Sequence, residues 1–233
     1  MRLAIIALVT LFAPTLLFAD EKFDRETVIF IGSSTMGHWK PRMDKDFLPI
    51  KTWNFGENGT DFHYLHETVP DWSKKFPAKR WVIYSGDNDL NSTPRRTPEQ
   101  VNADMLKTVD LIRENDPDAE IFVISIKCRV YVEAEPACPR VMETNKLMAE
   151  SALKVKGLTY VDTFSAMRAA DDDQRKFFDE DGVHLNDKGY DIWAGTLKPL
   201  LQKSIGNTAA VAKKKAPRPS ENEVSEEAVR TAQ

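Results

Sequence analysis

An excess of charge of one sign is missing from this chain. Its 32 lysines and arginines are matched against 36 aspartates and glutamates, for a formal net charge of -4. No large cationic field invites nucleic acid or an anionic membrane surface, and no strongly acidic substrate is suggested. Long hydrophobic runs are also scarce. The run "LAIIALVTLFAPTLLF", residues 3–18, carries no charge, and it follows the short positive start Met1-Arg2. It is slightly short for a membrane span, contains Pro14 and lacks a stop-transfer pattern. This pattern predicts a secretory signal peptide over residues 1–19, cleaved after Ala19; the alternative is an uncleaved amino-terminal anchor. The residue directly after Ala19 is Asp20 and not a cysteine, which argues against a lipid-anchored lipoprotein.

Cysteine is scarce as well: Cys128 and Cys138 are the two, separated by "RVYVEAEPA". An even count in an exported chain, periplasmic or secreted, suggests one disulfide. Closing so short a loop would contribute about 2–3 kcal/mol. Two unpaired thiols remain the alternative, because spacing alone does not establish the geometry a bridge needs.

Internal repeats and linkers are absent, so residues 20–205 read as one domain, 42% hydrophobic over the whole chain and large enough for a substantial core. From Gly206 the chain lacks large aromatics and mixes Lys, Pro, Ser and Glu. Residues 206–233 therefore read as a disordered tail that buries too little apolar surface to offset its ordering entropy.

Within the domain the hydrophobic period alternates. Short apolar runs at 27–32, 50–56, 80–86, 120–127 and 158–163 predict five strands. Helical patterns lie between them. Residues 97–116 carry Thr97 as N-cap and Val101, Met105, Val109 and Ile112 on one face; 138–155 and 186–201 are further helices, the last with Tyr190, Trp193, Leu197 and Leu200 in register. Alternating strands and helices predict a parallel sheet covered on both faces, with ligands at the carboxyl ends of the strands.

Three of those strand ends are polar and glycine-containing. The first reads "FIGSSTM": Gly32 permits a sharp turn, after which a serine can present both its hydroxyl and its N–H, or simply cap a helix. The second, "NFGENGTD", brings a glycine loop whose N–H could bind an oxyanion, or forms an ordinary turn. The third is "YSGDNDLN". Asn88 can donate to the same oxyanion, and the flanking acids can hold the loop by accepting backbone N–H bonds. A Ca²⁺ or Mg²⁺ site is the other reading of these acids, but they lack the spaced ligands of a dedicated cage, so no metal is assigned. A fourth turn, "DGVHLNDKGY", sets Asp181 three residues before His184, so the carboxylate can orient the imidazole. His38, His63 and His66 have no acid at this spacing on a comparable turn and read as surface or loop residues. Together the turns hold a nucleophile, a base, an orienting acid and oxyanion donors, the parts acyl transfer requires.

In this order the four blocks resemble the SGNH (GDSL-type) hydrolase superfamily, in a bacterial exported esterase branch. The resemblance spans the whole core, including "IFVISIK" and "HLNDKGYDIW". It implies a flavodoxin-like three-layer α/β/α sandwich with a five-stranded parallel sheet. By position it implies Ser34 as nucleophile, His184 as base, Asp181 as its partner, and an oxyanion hole from the Ser34 and Gly59 N–H groups and the Asn88 side chain. Ser33 stands where the family has an acid, which leaves Ser33 a competitor of Ser34; Gly56 competes with Gly59. The implied function is a serine esterase that cleaves a carboxylic ester, with a small acyl group, through an acyl-enzyme and without a cofactor. The alternatives are an O-acyltransferase or deacetylase acting on a cell-envelope glycan, and a non-catalytic binding module. The expected partner is thus a small-molecule or glycan ester, with no nucleic acid and no stable membrane insertion after signal cleavage; oligomeric state is not legible. Trp39, Arg129 and Tyr131 follow strands one and four, where they could line a substrate pocket or pack at the surface. The segment between the cysteines would form a stapled rim beside it.

Overall fold

The structure, a computed structural model, describes residues 23–130 and 137–215. The expected signal segment, Tyr131 and residues 216–233 lie outside the described residues. Five strands form one parallel sheet: β1 (Val28–Gly32), β2 (Thr52–Asn54), β3 (Arg80–Tyr84), β4 (Glu120–Ile124) and β5 (Leu158–Val161). Their order, β2-β1-β3-β4-β5, is the doubly wound flavodoxin-like order, which reverses direction between β1 and β3.

Alternate residues of each strand feed two separate cores. Phe30, Val82, Tyr84, Phe122 and Ile124 face one side, where α1 (Ser34–Trp39), α2 (Met43–Phe47), α7 (Thr163–Ala170) and α8 (Asp187–Lys215) pack. Ile29, Ile31, Trp81, Ile83, Ile121 and Val123 face the other, beneath α3 (Phe62–Lys75), α5 (Pro98–Arg113) and α6 (Ala137–Lys154). The short helix α4 (Asp87–Asn91) follows β3 directly. Strands covered on both sides are apolar at nearly every position, which is why their runs stand out in the sequence. Fully burying each such Val, Leu, Ile or Phe side chain is worth about 1.5–3 kcal/mol relative to leaving it exposed.

The helices follow their local chemistry. Thr97 caps α5 in a complete capping box with Gln100. The apolar periodicity names no helix over 62–75, where Pro70 interrupts the pattern, yet α3 forms there with Asp61 accepting the Tyr64 N–H as its cap. On α8 the buried stripe is Tyr190, Trp193, Leu197 and Leu201; Leu200, expected in that stripe, is only partly buried.

The boundary expected at Gly206 is corrected. Helix α8 continues to Lys215. Arg80 is fully buried at the start of β3 and donates to the Ser204 hydroxyl (2.6 Å), the Ser204 carbonyl (3.3 Å) and the Thr208 hydroxyl (2.6 Å). Glu26 accepts from Arg80 Nη1 at 2.7 Å, and Ser204 and Thr208 satisfy the rest of the buried guanidinium, which ties α8 to β3 on both sides of Gly206.

Gly32 ends β1 at φ +145°, and a methyl group built there would stand 1.8 Å from the Tyr84 carbonyl oxygen. Gly32→Ala is expected to cost at least about 3 kcal/mol, because both the backbone and the adjacent strand must move. Urea unfolding of the purified variant measures this.

Candidate active site

The sharp exit from β1 places Ser33 and Ser34 at the carboxyl edge of the sheet. Ser33 is buried, its N–H donates to the Tyr84 carbonyl, and its own carbonyl accepts from Met36 and Gly37. It is the N-cap of α1, and its side chain makes no capping bond. Ser34 is the first helical residue. Its hydroxyl lies 2.8 Å from His184 Nε2, which separates the two serines that sequence left in competition.

The imidazole is held from behind. Asp181 Oδ2 lies 2.6 Å from His184 Nδ1, while Asp181 Oδ1 accepts the backbone N–H groups of Val183 (2.8 Å) and His184 (2.9 Å). Gly182, at φ +64°, closes this turn. Burial alone would raise the Asp181 carboxyl; the two amides and the ring outweigh it and hold it at about 2. An ionised carboxylate only accepts, so Nδ1 carries the ring proton and Nε2 faces Ser34 as an acceptor. The arrangement can draw the Ser34 proton onto the ring while Asp181 stabilises the resulting imidazolium.

The second and third turns close on the same edge. The β2–α3 loop is tied to β1 because Glu57 N–H (2.9 Å) and the Thr60 hydroxyl (3.3 Å) both donate to the Gly32 carbonyl. Asn88 Nδ2 donates to the Thr60 carbonyl at 2.8 Å, so the loop and α4 are locked together. Gly56 donates its N–H to Asn54 Oδ1 at 2.8 Å, whereas Gly59, at φ +74°, has no acceptor for its N–H among the described residues. That difference favours Gly59 over Gly56 as a donor to a ligand.

Behind Asn88 lies a charged cluster. Asp87 is buried, with Lys127 Nζ 2.6 Å from Oδ2 and Arg129 Nε 2.7 Å from Oδ1; the Tyr84 hydroxyl donates to Oδ2 at 3.3 Å. Burial would raise the Asp87 carboxyl, but Lys127 and Arg129 hold it below the usual carboxylate range. Arg129 Nη2 also donates to Asn88 Oδ1 at 2.9 Å. The segment is anchored further by Val130, whose N–H donates to the Gly182 carbonyl, and by a disulfide joining Cys128 to Cys138 in the first turn of α6.

Asp89, the other acid of this turn, accepts the Phe62 N–H at 3.2 Å, as expected for a loop-holding carboxylate. Its burial, with the charges of Asp61 and Asp104 nearby, pushes it up to about 6 despite that bond. A raised carboxyl pKa means the folded state holds a proton that the unfolded state releases, so stability falls as pH rises from about 4 to about 6. Asp89→Asn keeps an acceptor for Phe62 and removes the buried charge. It is expected to gain about 1–3 kcal/mol at pH 8 and almost nothing at pH 4. Urea unfolding at the two pH values checks the difference.

One sequence expectation is overturned. Trp39 does not line a pocket; it is fully buried against Phe30, Phe47, Tyr190 and Trp193, and its indole N–H donates to Asp46. Arg129 directs its guanidinium to Asp87 and Asn88. Two residues were missed. His38 stacks on His184 with ring centroids 4.1 Å apart, and its spacing of four from Ser34 on one helix was the available signal. Lys127 closes the strongest of the five strand-like runs, and a charge at the end of so apolar a run was the hint of its buried partner Asp87.

Comparison with known proteins follows this geometry. The GDSL-like Lipase/Acylhydrolase family matches over residues 32–192. Similar solved structures include a GDSL-like lipase from Bacteroides thetaiotaomicron VPI-5482, 17% identical with a TM-score of 0.64 over 77% of this chain and 89% of that one. A family 3 carbohydrate esterase from Talaromyces cellulolyticus is 15% identical, with a TM-score of 0.61 over 78% and 98%. A member of the lipolytic protein G-D-S-L family from Veillonella parvula DSM 2008 is 18% identical, with a TM-score of 0.62 over 73% and 94%. No curated protein matches. With the family match spanning both the serine turn and the aspartate–histidine turn, the chain belongs to the GDSL-like lipase/acylhydrolase family and is a carboxylic ester hydrolase of it.

Proposed function

We propose that this protein is an exported serine esterase that removes a small acyl group from a polar alcohol, of which a glycan is the leading class. The reading rests on the continuous chain Ser34 Oγ, His184, Asp181, with contacts of 2.8 and 2.6 Å. Ser34 Oγ attacks the ester carbonyl as His184 Nε2 takes its proton. The tetrahedral oxyanion is met by the Ser34 and Gly59 N–H groups and Asn88 Nδ2, each donor worth about 3 kcal/mol. Collapse expels the alcohol, which takes the proton from His184. Water, activated by the same imidazole, then attacks the acyl-enzyme, releases the carboxylic acid and regenerates Ser34.

A groove of about 840 Å³ is lined by His38, the ring that stacks on His184, and is the room beside the catalytic residues for the alcohol portion. Its lining mixes the polar side chains of Lys40, Asp179 and Asn186 with the apolar surfaces of Pro41, Leu185 and Tyr190, a combination that suits the hydroxyl edges and apolar faces of a sugar ring. The same groove could seat a glycan hydroxyl as acceptor, so transfer of the acyl group to a sugar is the second reading. Export rests on the amino-terminal segment and on the disulfide, which persists in oxidising compartments.

The test is a series of 4-nitrophenyl esters from acetyl to dodecanoyl run beside acetylated xylan and acetylated amino sugars. The reading expects kcat/KM to be highest for acetyl and to fall with chain length, with acetate released from at least one sugar. Preference for long chains would contradict it. Adding a free glycan separates the two outcomes, since only the transferase passes the acyl group to it instead of to water.

A further inference from the structure

We infer that Arg129 is a positioning residue that sets the orientation of the Asn88 amide in the oxyanion hole. This deepens the reading above and rests on Asn88 being an oxyanion donor.

A primary amide has nearly the same shape when turned over, but its donors and acceptor exchange places. In the observed orientation Asn88 Nδ2 donates to the Thr60 carbonyl at 2.8 Å, and Oδ1 accepts from Arg129 Nη2 at 2.9 Å. The second Nδ2–H is then left for a developing oxyanion. Turned over, the amide would set its oxygen against the Thr60 carbonyl and its NH₂ against the guanidinium. Two hydrogen bonds would become two repulsive contacts, and the site would meet an oxyanion with a lone pair. Thr60 and Arg129 together forbid that state.

The guanidinium can do this because it is itself fixed. Nε donates to Asp87 Oδ1 at 2.7 Å while Nη2 reaches Asn88, so one planar group spans two successive side chains of α4. Asp87 is held in turn by Lys127 at 2.6 Å. The Arg129 side chain is 13% exposed and that of Asp87 is 4% exposed, which keeps water from competing for these bonds. A cation behind the amide oxygen also polarises the amide and strengthens Nδ2–H as a donor. Both cations lie within five residues of the end of β4, and Val130 ties the same segment to the turn that carries Asp181.

The experiment is a double-mutant cycle on the full-length protein with 4-nitrophenyl acetate. Arg129→Met is expected to lower kcat about 10- to 50-fold, less than loss of a whole oxyanion donor, with KM within about threefold. In an Asn88→Ala background the same substitution is expected to change kcat less than about twofold, because its effect has already been removed. A cost that persists in the Asn88→Ala background overturns the inference, as does a raised KM with kcat unchanged, which would make Arg129 a substrate contact. If Asn88→Ala itself leaves kcat unaltered, the oxyanion assignment fails and this inference with it, a result distinct from the other two. Should Arg129→Met lose its near-ultraviolet circular dichroism, Arg129→Lys replaces it. Lysine keeps the charge opposite Asp87, cannot span Asp87 and Asn88 together, and is expected to show the same dependence on Asn88.

Discussion

Ser34→Ala is expected to lower ester turnover by a factor of at least about 10⁴ while leaving the fold intact. The variant keeps the oxyanion donors and the groove, so a small residual rate is expected, carried by water attacking directly. Stability should hardly change. The hydroxyl lost is at the edge of the sheet, it meets the partly exposed His184 ring, and alanine is a better helix former than serine in α1. Hydrolysis of 4-nitrophenyl acetate measures the first effect, and a thermal unfolding midpoint within a few degrees of the parent checks the second. The neighbouring Ser33→Ala serves as the contrast. Its side chain does not reach His184, so turnover should stay within about tenfold of the parent.

The second large effect is expected from Asp181→Asn, a fall in kcat of about 10³- to 10⁴-fold. The loss has two causes. An asparagine can present its NH₂ to Nδ1, which then becomes an acceptor and forces the ring proton onto Nε2, the atom that must accept from Ser34. It also removes the charge that stabilises the imidazolium. Because the Asp181 carboxyl is held at about 2, it is ionised throughout pH 4–9, and the loss should be present across that whole range. A pH–rate profile that merges with the parent's at either end would contradict this role. The linkage has a defined sign as well. A depressed carboxyl pKa contributes stability above its unfolded value of about 3.8 and loses it as pH falls towards about 2, so Asp181→Asn should alter stability near neutrality and not at pH 2.

Much of the site was legible because each part is local. Asp181 and His184 are three residues apart, so a turn containing one glycine is enough to join ring and carboxylate. The strands were legible because burial on both faces leaves nearly unbroken apolar runs. What failed was rotation about helix axes. Trp39 follows the nucleophile by five residues, which in a helix places it about 140° around from Ser34 and into the core; His38, four residues on, returns to the same side and meets His184. No strand-end argument distinguishes those two positions until Ser34 is known to begin a helix. The Asp87–Lys127–Arg129 cluster was hidden for a different reason. Its members are 40 and 42 residues apart in the chain and meet because β3 and β4 are neighbours in the sheet. The continuation of α8 past Gly206 to Thr208 is likewise tied to Arg80, more than a hundred residues upstream.

The most direct test of the catalytic assignment is where a fluorophosphonate attaches. Incubated with the folded protein and mapped by peptide mass spectrometry, the reagent should modify Ser34 alone, in one-to-one stoichiometry, and heat-unfolded protein should remain unmodified. Label on Ser33 or elsewhere, or none on a protein that still hydrolyses esters, would contradict the account.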